Sequence, residues 1–266
     1  ISCRLPLAVV TEAISVERLS KLYATRDGGV AALERISFSI GEGEFVAVVG
    51  PSGCGKSTLL KILAGLLAPS GGAASLRGTA IAGPRRDIGV VFQAPVLFPW
   101  RTVLDNVLLP IDVQGLGRDR YLPQAMDLLS LVGLRDFERR YPWELSGGMQ
   151  QRVAITRALV HDPAMLLMDE PFGALDAMTR EHMNLELQRI WLEKKKTVFF
   201  ITHSIPEAVF LADRVLVMTP RPGRIVDDLR IKLARPRSLD VMATPEFGEY
   251  TRHIRALFSV KGGLDA

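Results

Sequence analysis

The sequence predicts an α/β fold: a mixed sheet flanked by helices, an antiparallel β portion early in the chain, and a helical portion inserted midway. Three observations predict it. Short apolar runs bounded by Gly and Pro alternate with helix-length segments along most of the chain. Ile36–Ile40 (ISFSI) alternates in period two, as a half-buried antiparallel strand does, whereas Met165–Met168 and Val198–Ile201 are continuously apolar, as strands buried on both faces are. Between Pro95 and Ser146 the strand signals vanish, and Leu122, Met126, Leu129 and Val132 recur at helical spacing up to Gly133.

Composition sets the outer limits. The chain has 266 residues, 48% of them hydrophobic, enough for one large domain or a domain with a sub-lobe. Its 33 Lys and Arg are interleaved with 29 Asp and Glu, so no basic stripe points to nucleic acid. No apolar run reaches the roughly 20 residues of a membrane-spanning helix. The two cysteines, Cys3 and Cys54, make no ligand cluster, and a disulfide at Cys54 would jam the loop around it; a reducing compartment is expected.

In chain order, residues 1–14 open with ISCRLPLAVV, which lacks the charged start and cleavage site of a signal peptide. A frayed lead-in is expected there, and the start at Ile rather than Met points to a fragment boundary. The apolar run Phe45–Val49 then leads into GPSGCGKST, Gly50–Thr58, and a helix beginning Leu59-Leu60. Strand, glycine loop and helix in this order form a phosphate cradle: backbone N–H groups of Gly50, Pro51-flanked Ser52, Gly53, Cys54 and Gly55 turn inward, and the helix N-terminus adds partial positive charge. Lys56 places an ammonium on the outer phosphates, and Ser57 is suited to ligate Mg²⁺. Cys54 is a loop position rather than a nucleophile, because nothing near it in sequence lowers its pKa.

Further on, Met165–Met168 ends in Asp169-Glu170, at the strand end where α/β sheets bind ligands. Adjacent carboxylates there point different ways, so Asp169 suits the Mg²⁺ shell and Glu170 suits polarising a water for in-line attack on a terminal phosphate. Two other apolar runs finish in polar residues, IGVVFQ at Gln93 and TVFFITHS at His203. Gln93 can span metal and water, and His203 can hold the terminal phosphate. His161, His182 and His253 show no partner pattern and receive no role. Met183, Leu187, Ile190 and Trp191 form an amphipathic helical stripe expected in the core.

A second glycine cluster, LSGGMQQR at Leu145–Arg152, opens a helix running from Met149 to Val160. Ser146 is placed to cap it, while Gly147 and Gly148 allow close backbone approach, which makes a second anion-binding terminus. It lies at the far end of the helical portion from the first loop. It is therefore expected to serve the nucleotide of a second, two-fold related chain, with two ATP molecules between the pair.

The motif set GPSGCGKST, VVFQ, LSGGMQQR, MLLMDEP, GALD and ITHS, in this order, resembles the ATP-binding subunits of ABC transporters over about residues 15–220. The resemblance implies a P-loop NTPase core with a helical subdomain at about 95–160 and a C-terminal tail over 221–266. It implies ATP as substrate with Mg²⁺, Ser146–Gln150 and Asp176 acting in trans, and Tyr23 as the aromatic that stacks on adenine. The stretch FQAPVLFPWRTVLDNV, Phe92–Val107, and the Pro-Arg-Pro-Gly stretch near the end resemble the nitrate, sulfonate and taurine importer group. That implies transmembrane permease subunits, a separate solute-binding protein, a peripheral place on the cytoplasmic face of the inner membrane, and a permease helix docking at Pro95–Leu104. Two other classes are weighed. A non-transport member of the family would show tandem cassettes, coiled-coil insertions or basic arms, and a regulatory module without turnover would not need Glu170 and His203.

Overall fold

The computed structural model describes residues 12–25 and 28–259. Most of the expected lead-in and Cys3 lie outside them, and at Glu12 the chain is already a strand. Two long strands, β1 (Glu12–Thr25) and β2 (Gly28–Gly41), pair antiparallel. After β3 (Phe45–Val49) and α1 (Lys56–Leu63), the strands β4 (Gly71–Leu76) and β5 (Thr79–Ala80) complete a four-stranded sheet ordered β2-β1-β4-β5. Their length exceeds what the short alternating run implied, because register shifts such as those between Val16 and Lys21 bend the ribbon and keep it paired.

Next come β6 (Ile88–Val91), α2 (Val103–Val107), α3 (Leu109–Val113), α4 (Arg118–Leu131) and α5 (Gly147–Leu159). These are followed by β7 (Met165–Asp169), α6 (Ala177–Lys194), β8 (Thr197–Ile201), α7 (Ile205–Leu211) and β9 (Arg214–Met218). The chain closes with β10 (Ile225–Arg230) and α8 (Pro245–Ser259). The second sheet has the order β10-β9-β3-β8-β7-β6, parallel throughout except for β10.

Period-two alternation divides the parallel strands between two cores. Phe45, Ala47 and Val49 face the helical side, whereas Val46 and Val48 face α1 and the four-stranded sheet. Every residue of β3, β8 and β9 is buried, which is why these runs lack polar alternation. Met183, Leu187, Ile190 and Trp191 of α6 are buried as expected. In α4 the expected stripe is half wrong. Leu129 and Val132 are buried, but Leu122 and Met126 are 39% and 37% exposed, and Ala125 and Leu128 take the inward positions. The buried face is the i, i+3, i+4, i+7 set Ala125, Leu128, Leu129 and Val132, which leaves Leu122 and Met126 at its edge.

Of the tail expected over 221–266, the described residues 221–259 are joined to the core by β10 and α8. Ile231, Leu233, Phe247, Ile254 and Phe258 belong to the same buried cluster as β3 and β8. Arg237, 3% exposed, ties the segment down by donating to the carbonyls of Val209, Phe210 and Ala212 at the end of α7. Among the described residues no helix is long and apolar enough to cross a membrane.

Candidate functional site

The strand β3 ends at Val49, and the chain turns through Gly50–Gly55 into α1. Gly53 and Gly55 have φ of 74° and 106°, which favour glycine, and a Cβ on Gly55 would lie 2.8 Å from Ala32 O. Lys56 is 6% exposed, its ammonium donating to Gly50 O at 2.8 Å and Pro51 O at 3.1 Å. Burial raises the Cys54 thiol above its ordinary pKa, which keeps it protonated and unreactive.

A cleft of about 290 Å³ opens over this loop, lined by Ser52, Gly53, Gly55, Lys56, Ser57 and Thr58, with Tyr23, Ala32, Glu170 and Arg221 closing it. Tyr23, on β1, is 39% exposed and its hydroxyl lies 3.3 Å from Thr58 Oγ1.

Asp169 is the last residue of β7, and the two adjacent carboxylates diverge. Ser57 Oγ donates to Asp169 Oδ1 at 3.1 Å, while Glu170 Oε2 lies 3.2 Å from Nδ1 of His203. Glu170 has φ of 46°, a conformation costing a β-carbon residue about 1–2 kcal/mol, and its N–H is fixed to Ile201 O at 2.9 Å. Burial, with the Glu170 charge adding to it, raises the Asp169 carboxyl pKa against the opposing Ser57 hydrogen bond and the Lys56 charge. A desolvated carboxylate beside a hydroxyl is a hard-oxygen pair waiting for positive charge.

The strands stop sooner than the sequence reading had them. β6 ends at Val91 and β8 at Ile201, so Gln93 and His203 stand on the loops just beyond, both exposed. Gln93 Nε2 would lie 3.2 Å from a Cβ on Gly173, which places it beside the turn that follows Glu170.

A family model described as ABC transporter matches residues 33–173. The chain is 50% identical over 222 residues to a taurine import ATP-binding protein of Burkholderia pseudomallei, covering 84% of this chain and 85% of that one. It is 49% identical over 250 residues to the Rhizobium johnstonii protein of the same name, covering 92% and 95%. The chain belongs to the ABC transporter ATP-binding family. The dimeric structure of a bacterial ABC transporter cassette superposes with a TM-score of 0.72 at 33% identity, over 83% of this chain and all of that one. A second structure, an ATP-binding cassette dimer in a post-hydrolysis state with ADP and Pi, gives 0.71 at 32% identity over 83% and 100% of the two chains.

The cassette's second glycine cluster lies apart from the cleft: none of Ser146, Gly147, Gly148, Gln150 or Asp176 lines it. The helix starts at Gly147, two residues earlier than expected, with Ser146 as its cap accepting from Met149 N at 3.4 Å. Asp176 caps α6 by accepting from Thr179 N at 3.0 Å, and the Thr179 hydroxyl bond is the main cause of its lowered pKa. The two caps are neighbours, since a Cβ on Gly148 would lie 3.2 Å from Thr179 Cγ2. Gln150 has another task. Its amide donates to Pro142 O at 2.9 Å and Leu145 O at 3.3 Å, which commits both N–H groups to shaping the loop before Ser146.

Sequence reading missed Arg221 and Ala32 in the cleft wall, and Gln151, which is buried and donates to Phe92 O at 3.4 Å. Their signal is spatial. Only the strand order brings β9's end and β2 to the phosphate loop.

Proposed function

We propose that this chain is the ATP-hydrolysing, energy-coupling subunit of an importer for taurine or a similar small solute such as a sulfonate or nitrate. The observation that carries it is the convergence of Lys56, the Ser57–Asp169 pair and the Glu170–His203 pair on one glycine-lined cleft. The names of the relatives that are about 50% identical support the import direction and solute class.

In this reading the N–H groups of residues 50–58 and the Lys56 ammonium bind the phosphates, and Tyr23 stacks on adenine. Ser57, Asp169 and Gln93 hold Mg²⁺, an oxygen donor set that suits a hard cation sharing its remaining positions with phosphates and water. When bound, the ion screens the charge of the β- and γ-phosphate oxygens.

Glu170 accepts a proton from the attacking water as the new P–O bond forms and the bond to the ADP oxygen breaks. With Nδ1 turned to Glu170, the other nitrogen of His203 is left to face the terminal phosphate. Ser146, Gly147, Gly148 and Asp176, remote from their own cleft, complete the site of a second cassette, while Gln150 holds the loop that presents them.

Permease docking falls at the start of the helical subdomain. Val96 and Phe98 line a groove of about 390 Å³ together with Val113, Arg86 and Arg157. At its rim Trp100, 71% exposed, stacks on Phe98 with ring centroids 5.1 Å apart. An exposed tryptophan stacked on a half-buried phenylalanine beside an apolar groove marks a partner surface. The groove is tied to the catalytic loop by sequence, because Gln93 is three residues from Val96. Docking to a permease places the chain peripherally on the cytoplasmic face of the membrane, and a solute-binding protein acts on the far side.

The first test is phosphate release. The purified chain in Mg²⁺ should release phosphate from ATP, and Lys56→Ala should not. A Lys56→Ala chain with the parental rate would refute the cleft assignment.

A further inference from the structure

Five parallel strands, β9, β3, β8, β7 and β6, bring their carboxyl ends to one edge of the large sheet. The phosphate loop, His203, the Asp169–Glu170 pair and Gln93 follow four of them. The turn Thr219–Gly223 follows the fifth, and its Arg221 lines the same cleft as Lys56, Ser57 and Glu170. β9 lies directly beside β3 with Val217 opposite Val49, so this turn rises next to the first residues of the phosphate loop. An ideal Cβ built on Gly53 would stand 3.8 Å from Arg221 Nη2.

The turn is held there from several sides. Gly223 N donates to Ala32 O at 2.9 Å, and Glu34 N donates to Gly223 O at 3.0 Å. Thr219 Oγ1 donates to Pro222 O at 3.2 Å and accepts from Arg224 N at 3.0 Å. A Cβ on Gly223 would lie 2.1 Å from Cys54 O, so the turn's backbone packs straight onto the loop.

The guanidinium, by contrast, has no hydrogen bond or ion pair among the described residues. Its neighbours in sequence and space differ: Arg214, Arg224 and Arg235 are bound to Glu44, Glu34 and Asp213. A rigidly mounted arginine whose five donors are free faces a cleft whose other cation, Lys56, is engaged by loop carbonyls. Its planar fork matches phosphate oxygens.

We propose that Arg221 is a second phosphate-contacting cation, binding the polyphosphate chain of the nucleotide from the side of Ser52 and Gly53. The inference rests on the reading of the cleft as an ATP site.

Calorimetric titration of the intact chain with Mg-ATP and Mg-ADP tests it, using the parental chain, Arg221→Ala, Arg221→Lys and Lys56→Ala at two salt concentrations. Arg221→Ala should weaken both nucleotides by about tenfold, equivalent to about 1.4 kcal/mol, and flatten the salt dependence. Arg221→Lys should recover part of the loss. The melting temperature without nucleotide should match the parent's, since the side chain has no protein partner to lose. Parental affinity in Arg221→Ala, with Lys56→Ala strongly weakened, would overturn this inference and leave the cleft assignment standing. A parental chain that binds neither nucleotide, or a Lys56→Ala chain that binds both normally, would overturn the assignment and the inference together.

Discussion

Glu170 keeps a left-handed backbone, φ 46°, in a position where glycine would fit without cost. The conformation turns its carboxylate away from Asp169 and toward His203, so that neighbouring acids do separate work. Glu170→Gln removes the proposed proton acceptor but keeps the shape. Turnover should fall by about 10²–10⁴-fold with ATP affinity nearly unchanged, as single-turnover kinetics and equilibrium binding will report. A rate within threefold of the parent's would assign the acceptor elsewhere. At this scale the sequence was highly legible where chemistry and local order coincide: Lys56, Ser57, Asp169 and Glu170 announce themselves by spacing and by the strand or loop they end. Arg221 did not, because its meaning depends on β9 lying beside β3, a neighbourhood formed by residues some 170 positions apart. The N–H groups of Gln150 are given to the carbonyls of Pro142 and Leu145, a local role that its place in the motif did not announce.

Helix α7 begins directly after His203, and its first turn contains a buried acid. Glu207 is 4% exposed; Thr202 Oγ1 donates to its Oε2, and its Oε1 has no partner. Burial raises the Glu207 pKa above the ordinary value of 4.5, with the Thr202 hydrogen bond opposing. A carboxyl whose folded pKa exceeds its unfolded one leaves stability untouched below the unfolded value, then costs stability as pH rises toward the folded value, because the unfolded chain ionises first. Glu207→Gln should therefore match the parent's melting temperature near pH 4 and gain on it as pH rises to neutrality. A relative loss with rising pH would mean that Glu207 is held as a stabilised anion. The groove by α3 makes a second prediction at this scale. Trp100→Ala should lose about 2 kcal/mol of permease binding, roughly 30-fold in affinity, with a melting temperature close to the parent's because the ring is largely exposed. Normal co-purification with the permease, or a large drop in melting temperature, would make Trp100 a structural residue. Elements were legible where periodicity is pure, as in β3, β8 and α6. In α4 several apolar residues allow more than one helical stripe, and the one buried runs through Ala125, Leu128, Leu129 and Val132 rather than through Leu122 and Met126, a choice that tertiary contacts make and periodicity does not.

Across the whole molecule, the two glycine clusters do not share a cleft. The phosphate loop stands at the carboxyl edge of the six-stranded sheet, while Ser146 and Asp176 cap helices whose starts adjoin each other outside that cleft. Met178, 82% exposed beside Asp176, leaves an apolar side chain on the same face, as an interface would require. The proposed two-fold related pair would satisfy both, each copy supplying its caps to the other's cleft. The cap at Ser146 was legible in the second glycine cluster, but its closeness to the Asp176 cap is a tertiary contact that spacing alone does not reveal. Light scattering on Glu170→Gln with saturating Mg-ATP measures this directly. The mass should double, with two nucleotides per pair, and return to that of a monomer when Ser146→Arg is added, although each chain still binds ATP. A monomer with nucleotide bound in the first case, or a persistent dimer in the second, would contradict the proposed pairing.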